Sequence, residues 1–328
     1  MAAKPRPAIS QNQLQGLKYF SILMPFLERL RNVATERDRA GNRQFFCDQY
    51  VGLLLIYFFN SIVTSVRGLQ QLSELERVQK LLGVQRVSLG SLSEAAGVFD
   101  AAVLHEIVAE LALRAVPLQT GREAEALRGL TAVDGSILPA LPRMVWALWK
   151  DDQHRGVKLH LHFDVLAAVP ADATLTPAAC SEPGQLAAML KPQRLYVVDR
   201  GYASFELFRE ILDAGSSFVA RVKDSTVFTV KEERPISAEA KAAGVVRDVV
   251  IEKLGTAHHK DYLRQAVRLV VVERTKPDGT VEALWLVTDK LDLAADLVAL
   301  AYKYRWMVEM SHPDYASSYS LYRGSWAA

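Results

Sequence analysis

The hydrophobic period of this chain changes near Leu130, and that change limits the folds open to it. Over residues 11–128 apolar side chains recur at spacings of three and four, and long segments lack β-branched clusters or Gly/Pro punctuation, which predicts packed amphipathic helices. From 130 onward the period shortens. Segments 130–133, 145–149 and 157–165 read as strands, and in the third Val157, Leu159, Leu161, Phe163 and Val165 alternate with Lys158, His160, His162 and Asp164. The loop 150–156 between the last two has hairpin composition. After a helical or irregular stretch at 182–191 come an apolar run at 195–198, a helix over 204–214 and a strand over 217–222. Strands followed by alternating helix and strand predict an α/β layer in which ligands gather at strand ends.

Residues 225–282 interrupt that layout with β-rich material, at 226–230, 245–252 and 264–274, and a Lys-Pro-Asp-Gly-Thr turn at 276–280. A final strand over 284–288 leads to a long helix over 292–310, for which Asp292 is the expected cap. On it Tyr302, Arg305 and Glu309 fall at i, i+3 and i+7, so one surface presents all three. In the helical half, the serines of 88–95 supply caps for a helix running towards Leu113, preceded by a turn at Gly83. A helix-turn-helix reader and two packed core helices both fit that turn chemistry.

Half of the 328 residues are apolar and 23% are charged, an ordinary globular balance that excludes disordered and fibrous classes. Net charge is only +2, but residues 1–50 carry Lys4, Arg6, Lys18, Arg29, Arg31, Arg37, Arg39 and Arg43 against Glu28, Glu36, Asp38 and Asp48, which suits an anionic partner or a solvated basic helix. Cys47 and Cys180 lie far apart and outside any paired spacing, so neither a disulfide framework nor a zinc site is indicated and a reducing cytoplasm is expected. The apolar run 50–59 falls well short of the ~20 residues a membrane helix needs, and no signal peptide is expected.

Two aspartates follow apolar strands, Asp134 in Val-Asp-Gly-Ser and Asp199 in Val-Val-Asp-Arg-Gly-Tyr, and Glu309 stands on the last helix. A carboxylate at a strand exit is fixed by the core without being trapped in it, which suits a hard divalent cation. Two such ions about 3.5–4 Å apart would serve phosphodiester chemistry. Any single aspartate of this kind is more often a turn former or cap, so the combination carries the reading. The histidines do not add a metal site by spacing: His160 and His162 share a strand face and His258 and His259 are sequential, without a second recognisable ligand pair. Asp134-Gly-Ser also lacks the flanks of an esterase elbow.

Three strings taken in order, Val133-Asp134-Gly135-Ser136, Val198-Asp199-Arg200-Gly201-Tyr202 and Tyr302-x-x-Arg305-x-x-x-Glu309, resemble the catalytic blocks of the DDE transposases of bacterial insertion sequences, in the type-four group with a Y-R-E-K signature. The resemblance runs over residues 45–309 and includes the Leu-Val-Thr-Asp-Lys-Leu-Asp-Leu approach to the last helix. It implies an α/β fold with an RNase H-like core, an all-helical N-terminal domain over 1–128, core over 129–224, a β-rich insertion over 225–283, core completion over 284–312, and an atypical tail over 313–328. It further implies cleavage and strand transfer of insertion-sequence ends, with Asp134, Asp199 and Glu309 as ligands of two Mg²⁺ ions, or Mn²⁺ in their place. Tyr302 and Arg305 would contact DNA phosphate, and Arg200, Tyr202 and Lys158 are further candidates for the groove. An intrahelical pair with Glu309 is the competing role for Arg305, and core packing that for Trp306, which could otherwise stack on a base. Implied partners are double-stranded DNA, as terminal inverted repeats and target, and a second copy of the chain on DNA; no membrane is implied, and the place is the nucleoid of a bacterial cytoplasm.

The chain departs from that pattern after Glu309, where position 316 is Ala instead of the expected Lys and Pro313 should end the helix near Ser311. The tail reads as an altered frame or a truncation, so weak or absent strand transfer is expected. The alternatives are a non-catalytic DNA-binding or dominant-negative remnant, and an RNase H-like nuclease outside transposition.

Overall fold

The computed structural model describes residues 9–33, 43–116, 120–139, 156–255, 263, 265–276 and 278–305. Contacts divide the chain into two compact units, Met1–Glu110 and Leu111–Ala328. The expected strand at 145–149, the His258-His259 pair, Trp306, Glu309 and the tail at 313–328 lie outside the described residues.

The first unit is helical, with α1 (Phe20–Leu27), α2 (Cys47–Phe59), α3 (Val66–Glu74), α4 (Glu76–Leu82), α5 (Leu89–Val98) and α6 (Leu104–Arg114), the last running across the division. Apolar α2 forms its centre and buries Leu53 and Ile56 completely. A Cβ at Gly52 would stand 2.6 Å from Leu82, so a glycine is what allows α2 and α4 to approach. Buried Asp48 is answered by Arg31 at 2.8 Å. Gly83, in the left-handed region, stops α4, and Ser88 caps α5. One helix towards Leu113 was expected, but α5 ends at Val98 and Asp100 caps a separate turn before α6. The serine-rich start hid that second cap.

Among the described residues, the second unit holds α7 (Arg122–Ala126) and then nine strands in the order β3-β2-β1-β4-β5-β9-β8-β7-β6. They are β1 (Leu130–Pro139), β2 (Gly156–Asp164), β3 (Val169–Pro177), β4 (Leu195–Val198), β5 (Ser217–Val222), β6 (Phe228–Glu233), β7 (Val245–Leu254), β8 (Val267–Thr275) and β9 (Val281–Thr288). Between them lie α8 (Glu182–Ala188), α9 (Phe205–Asp213), α10 (Ala238–Ala242) and α11 (Ala295–Tyr304). β1, β4 and β5 are parallel, while β2 runs antiparallel to β1 and β9 antiparallel to β5. Short β4, wholly apolar, and β5, apolar but for Ser217 and Arg221, are covered on both faces, as parallel strands require.

On one face Leu130, Ala132, Leu195, Val197 and Val219 pack against Leu297, Val298 and Ala301 of α11. On the other, Val133, Tyr196, Val198, Phe218 and Ala220 pack against Leu186 of α8 and Leu207, Phe208 and Ile211 of α9. The β-rich segment read as an interruption is continuous with the same sheet, joined through β9. β3 was not anticipated: its Val-Pro-Ala-Asp-Ala-Thr-Leu-Thr-Pro sequence is poor in large apolar residues and carries prolines, which a sheet tolerates at an edge. Ala294 stands at the N-cap of α11 in place of the expected Asp292. The approach to that helix is instead held by Arg268, paired with Asp248 through two bonds of 2.7 and 2.6 Å and donating to the carbonyls of Leu291 and Leu293.

Candidate active site

β1 and β4 pair with Leu130 opposite Leu195 and Ala132 opposite Val197. Carried two residues on, the same register sets Asp134 beside Asp199. β4 and β5 pair with Val198 opposite Ala220, so the next step sets Asp199 beside Arg221. Neighbouring strands lie about 4.8 Å apart, and alternation turns all three side chains to the face that α11 covers. Asp134 is not at a strand exit as expected. β1 continues to Pro139 because β2 pairs along it, whereas β4 ends at Val198; Asp134 sits where its strand outruns its neighbour.

Local bonds fix both carboxylates. Ser136 Oγ donates to Asp134 Oδ2 at 2.9 Å, and the Gly201 amide donates to Asp199 Oδ1 at 2.7 Å, capping a 3₁₀ turn over Arg200–Tyr202. Among the described residues neither aspartate has an ion-pair partner, so oxygen lone pairs remain for a cation. Oxygen-only donors on a rigid sheet fit Mg²⁺ or Mn²⁺. Among the described residues, however, no three acidic, thiol or imidazole groups stand close enough to hold an ion together.

An open cleft of about 410 Å³ adjoins Asp199, lined also by Arg200, Gly201, Arg221, Lys223, Tyr302 and Arg305. Four of these carry positive charge, which suits a phosphate backbone. Arg200 and Lys223 are exposed, whereas Tyr302 and Arg305 are only 3% and 4% exposed. The Arg305 guanidinium stands 5.8 Å from the centre of the Tyr302 ring. Burial raises the ionisation of the Tyr302 phenol above its usual range, against the opposing charges of Arg305 and Arg221 and a hydrogen bond from Arg221. Arg221 also bonds Glu282 at 2.7 Å, and Arg274 holds the second oxygen of that carboxylate at 2.7 Å. Burial would push the Glu282 carboxyl up, but the hydrogen bonds from Arg274 and Arg221 outweigh it and hold it low.

The other two candidates lie on the opposite face. Register places Lys158 opposite Ile137 and His160 opposite Gly135, on the α8 side of the sheet. There Lys158 is buried, 3.0 Å from Glu182 and donating to the Cys180 carbonyl at 3.2 Å. Tyr202 is 1% exposed within the core that includes Leu186 and Val198, and its phenol is held neutral first by burial, then by Glu182, Asp134 and Asp199. Buried His160 bonds Thr176 at 2.8 Å, and His162 stacks edge-on against Tyr196, so both serve packing. The residues that sequence reasoning missed are Arg221, Lys223 and Glu182. Arg221 and Lys223 alternate at the end of a correctly placed strand, but their nearness to Asp199 depends on a register that one sequence does not state. Glu182 had the look of an ordinary first-turn helix acid.

The family model for the transposase DDE domain matches residues 125–319, well over half of the chain and all of this site. A protein of Sinorhizobium fredii named as transposase y4zB is 27% identical over 195 residues, covering 58% of this chain and 52% of that protein. One of Geobacillus stearothermophilus, named as a transposase for insertion sequence element IS5377, is 23% identical over 257 residues, covering 78% of this chain and 65% of its own. The chain thus spans between half and two thirds of these relatives. A cryo-EM structure of the piggyBac transposase synaptic complex with hairpin DNA aligns over 95% of this chain and 71% of its own, at 10% identity and a TM-score of 0.46, too distant to bear on the site. By the match over residues 125–319, this chain belongs to the transposase DDE domain family.

Proposed function

We propose that this chain is the catalytic part of a DNA transposase that cleaves phosphodiester bonds at insertion-sequence ends and joins the freed ends to target DNA. The observation that carries the reading is that Asp134 and Asp199 each follow the paired residues Ala132 and Val197 by two positions, with Asp199 bordering an arginine-lined cleft. On this reading β3-β2-β1-β4-β5 is an RNase H-like core, β6 to β8 are the β-rich insertion, and α11 is the catalytic helix.

Asp134 and Asp199 would hold Mg²⁺ or Mn²⁺, with Glu309 as the third ligand of the family pattern. Bound there, two such ions supply activation of the attacking hydroxyl and stabilisation of the leaving oxygen. The chain's own groups position the substrate. Exposed Arg200 and Lys223 meet backbone phosphate, Arg221 presents a guanidinium fixed by Glu282, and Tyr302 with Arg305 forms the wall beneath. Double-stranded DNA is the partner, with a second copy of the chain completing the complex, and the bacterial nucleoid is where it would act. Among the described residues no helix is long and apolar enough to cross a membrane.

The departure from the family pattern at Ala316 and Pro313 would impair strand transfer in such an enzyme and favours a second reading, a non-catalytic DNA-binding or dominant-negative remnant. One assay separates the two. Cleavage of a linear DNA carrying the element's ends, dependent on Mg²⁺ and lost in Asp134→Ala, supports the enzyme; salt-sensitive binding without cleavage supports the remnant. Failure to bind such DNA at all would overturn both.

A further inference from the structure

We propose that Glu182 is a further carboxylate ligand for the divalent cation of this site, kept from it by Lys158 until the cation arrives. This deepens the proposed function and rests on its reading of Asp134 and Asp199 as cation ligands.

Glu182 opens α8 on the sheet face opposite α11, yet its carboxylate reaches the end of β4, where the chain turns away as Asp199-Arg200-Gly201. Two glycines leave the space for it. A Cβ at Gly135, the neighbour of Asp134, would stand 2.9 Å from Glu182 Oε1. One at Gly201 would stand 3.1 Å from Asp199 Oδ1 and 3.5 Å from Glu182 Oε2, so oxygens from two different acids border the space that this glycine leaves. Strand backbone at Gly135 is ordinary, so what the missing side chain provides there is room for the carboxylate.

What holds Glu182 at present is Lys158, 3.0 Å from Oε1 and nearly buried. A structural ion pair would account for that contact alone. It does not account for Tyr202, whose hydroxyl is buried at the same place and has no hydrogen-bond partner among the described residues. Glu182, Asp134 and Asp199 are the acids whose charges reach that hydroxyl. Such a group is normally satisfied, and a cation's oxygen shell or a carboxylate moved by the cation would satisfy it here. Exchange of Lys158 for the ion would turn Glu182 towards Asp199, leave the ammonium on the Cys180 carbonyl, and complete a set of acids that as they stand are too far apart.

Mn²⁺ binding to the DNA-free full chain, followed by electron paramagnetic resonance, tests this without reference to activity. Glu182→Gln should weaken binding about tenfold, the scale on which groups at a metal site act. Gly135→Ala, whose methyl displaces the carboxylate, should weaken it too, while Lys158→Met should tighten it by freeing the acid. Thermal melting without Mn²⁺ identifies any variant that has lost its fold, and Glu182→Gln with Gly135→Ala then suffices. Asp134→Asn is the control on the underlying reading. If Asp134→Asn weakens binding but Glu182→Gln and Lys158→Met both match the wild type, Glu182 only anchors Lys158 and the proposal fails. If Asp134→Asn also matches the wild type, the cation site itself is wrong and both readings fall.

Discussion

Asp134 and Asp199 each lie two residues past Ala132 and Val197, the last paired positions of β1 and β4, and strand alternation directs both side chains to the face that α11 covers. Two like charges on adjacent strands repel in the absence of a cation, so neutralising either should cost the fold nothing. Asp134→Asn and Asp199→Asn are each expected to reduce Mg²⁺-dependent end cleavage by on the order of 10³-fold, the scale of one catalytic group, with a melting temperature equal to or above the wild type. Cleavage rates and melting curves on the same preparations check this. Wild-type turnover in either variant would remove these aspartates from the chemistry.

Arg221 is the basic residue that links the cleft to the sheet, through Glu282 and the Tyr302 hydroxyl. Bonded on one side to Glu282, its guanidinium is oriented in advance towards the cleft that Asp199 borders. Arg221→Met should weaken DNA binding about equally for all sequences and lower the slope of log affinity against log salt by about one. Arg274→Met shares the Glu282 anchor but does not line the cleft, so it should leave that slope unchanged. Fluorescence anisotropy across a salt series distinguishes them.

The parts of the fold legible in the sequence were those set by local pattern. Strand β5 at Ser217–Val222 and the helix expected over 204–214, found as α9 at Phe205–Asp213, came from periodicity acting over a few residues. The edge strand β3 did not, because an edge needs no apolar face and its prolines read as loop. For the site, the two aspartates were visible as residues that follow apolar strands, but the placement of Lys158 was not. It alternates with apolar residues on β2, and only the packing of α8 over that face turned the polar side inward, where Glu182 and the Cys180 carbonyl receive the ammonium. Glu182 itself becomes visible only once Gly135 and Gly201 are brought to one place.

The Arg268–Asp248 pair should be the most costly polar contact to break in the second unit. Both side chains are 3% exposed, and the arginine also satisfies the Leu291 and Leu293 carbonyls just before α11. Removing one partner leaves a buried charge unanswered, which costs about 3–5 kcal/mol. Arg268→Met and Asp248→Asn are each expected to lower urea stability by that amount. The double variant should lose less than the sum of the two, because neither charge is then left alone. Strict additivity would show the pair to be uncoupled.

Acid sensitivity should come in part from His162, on β2 against Tyr196. Burial comes first among the causes that lower its pKa to about 4, with Asp172 opposing and Lys191, His160 and Arg194 assisting. The folded value lies below the unfolded value near 6.5, so the unfolded chain binds more protons between them. The contribution is therefore complete above about pH 6.5 and is lost as pH falls towards 4. By pH 5, before most carboxylates titrate, the loss should reach about 2 kcal/mol. Urea midpoints at pH 7 and pH 5 would measure it, and His162→Phe, which keeps a ring against Tyr196 without a titrating group, should remove most of the difference. His160 leaves a smaller residual slope of the same sign, since burial and then Lys158 lower its pKa against Glu182. An unchanged pH dependence in His162→Phe would show that this imidazole is protonated or solvated in the folded protein.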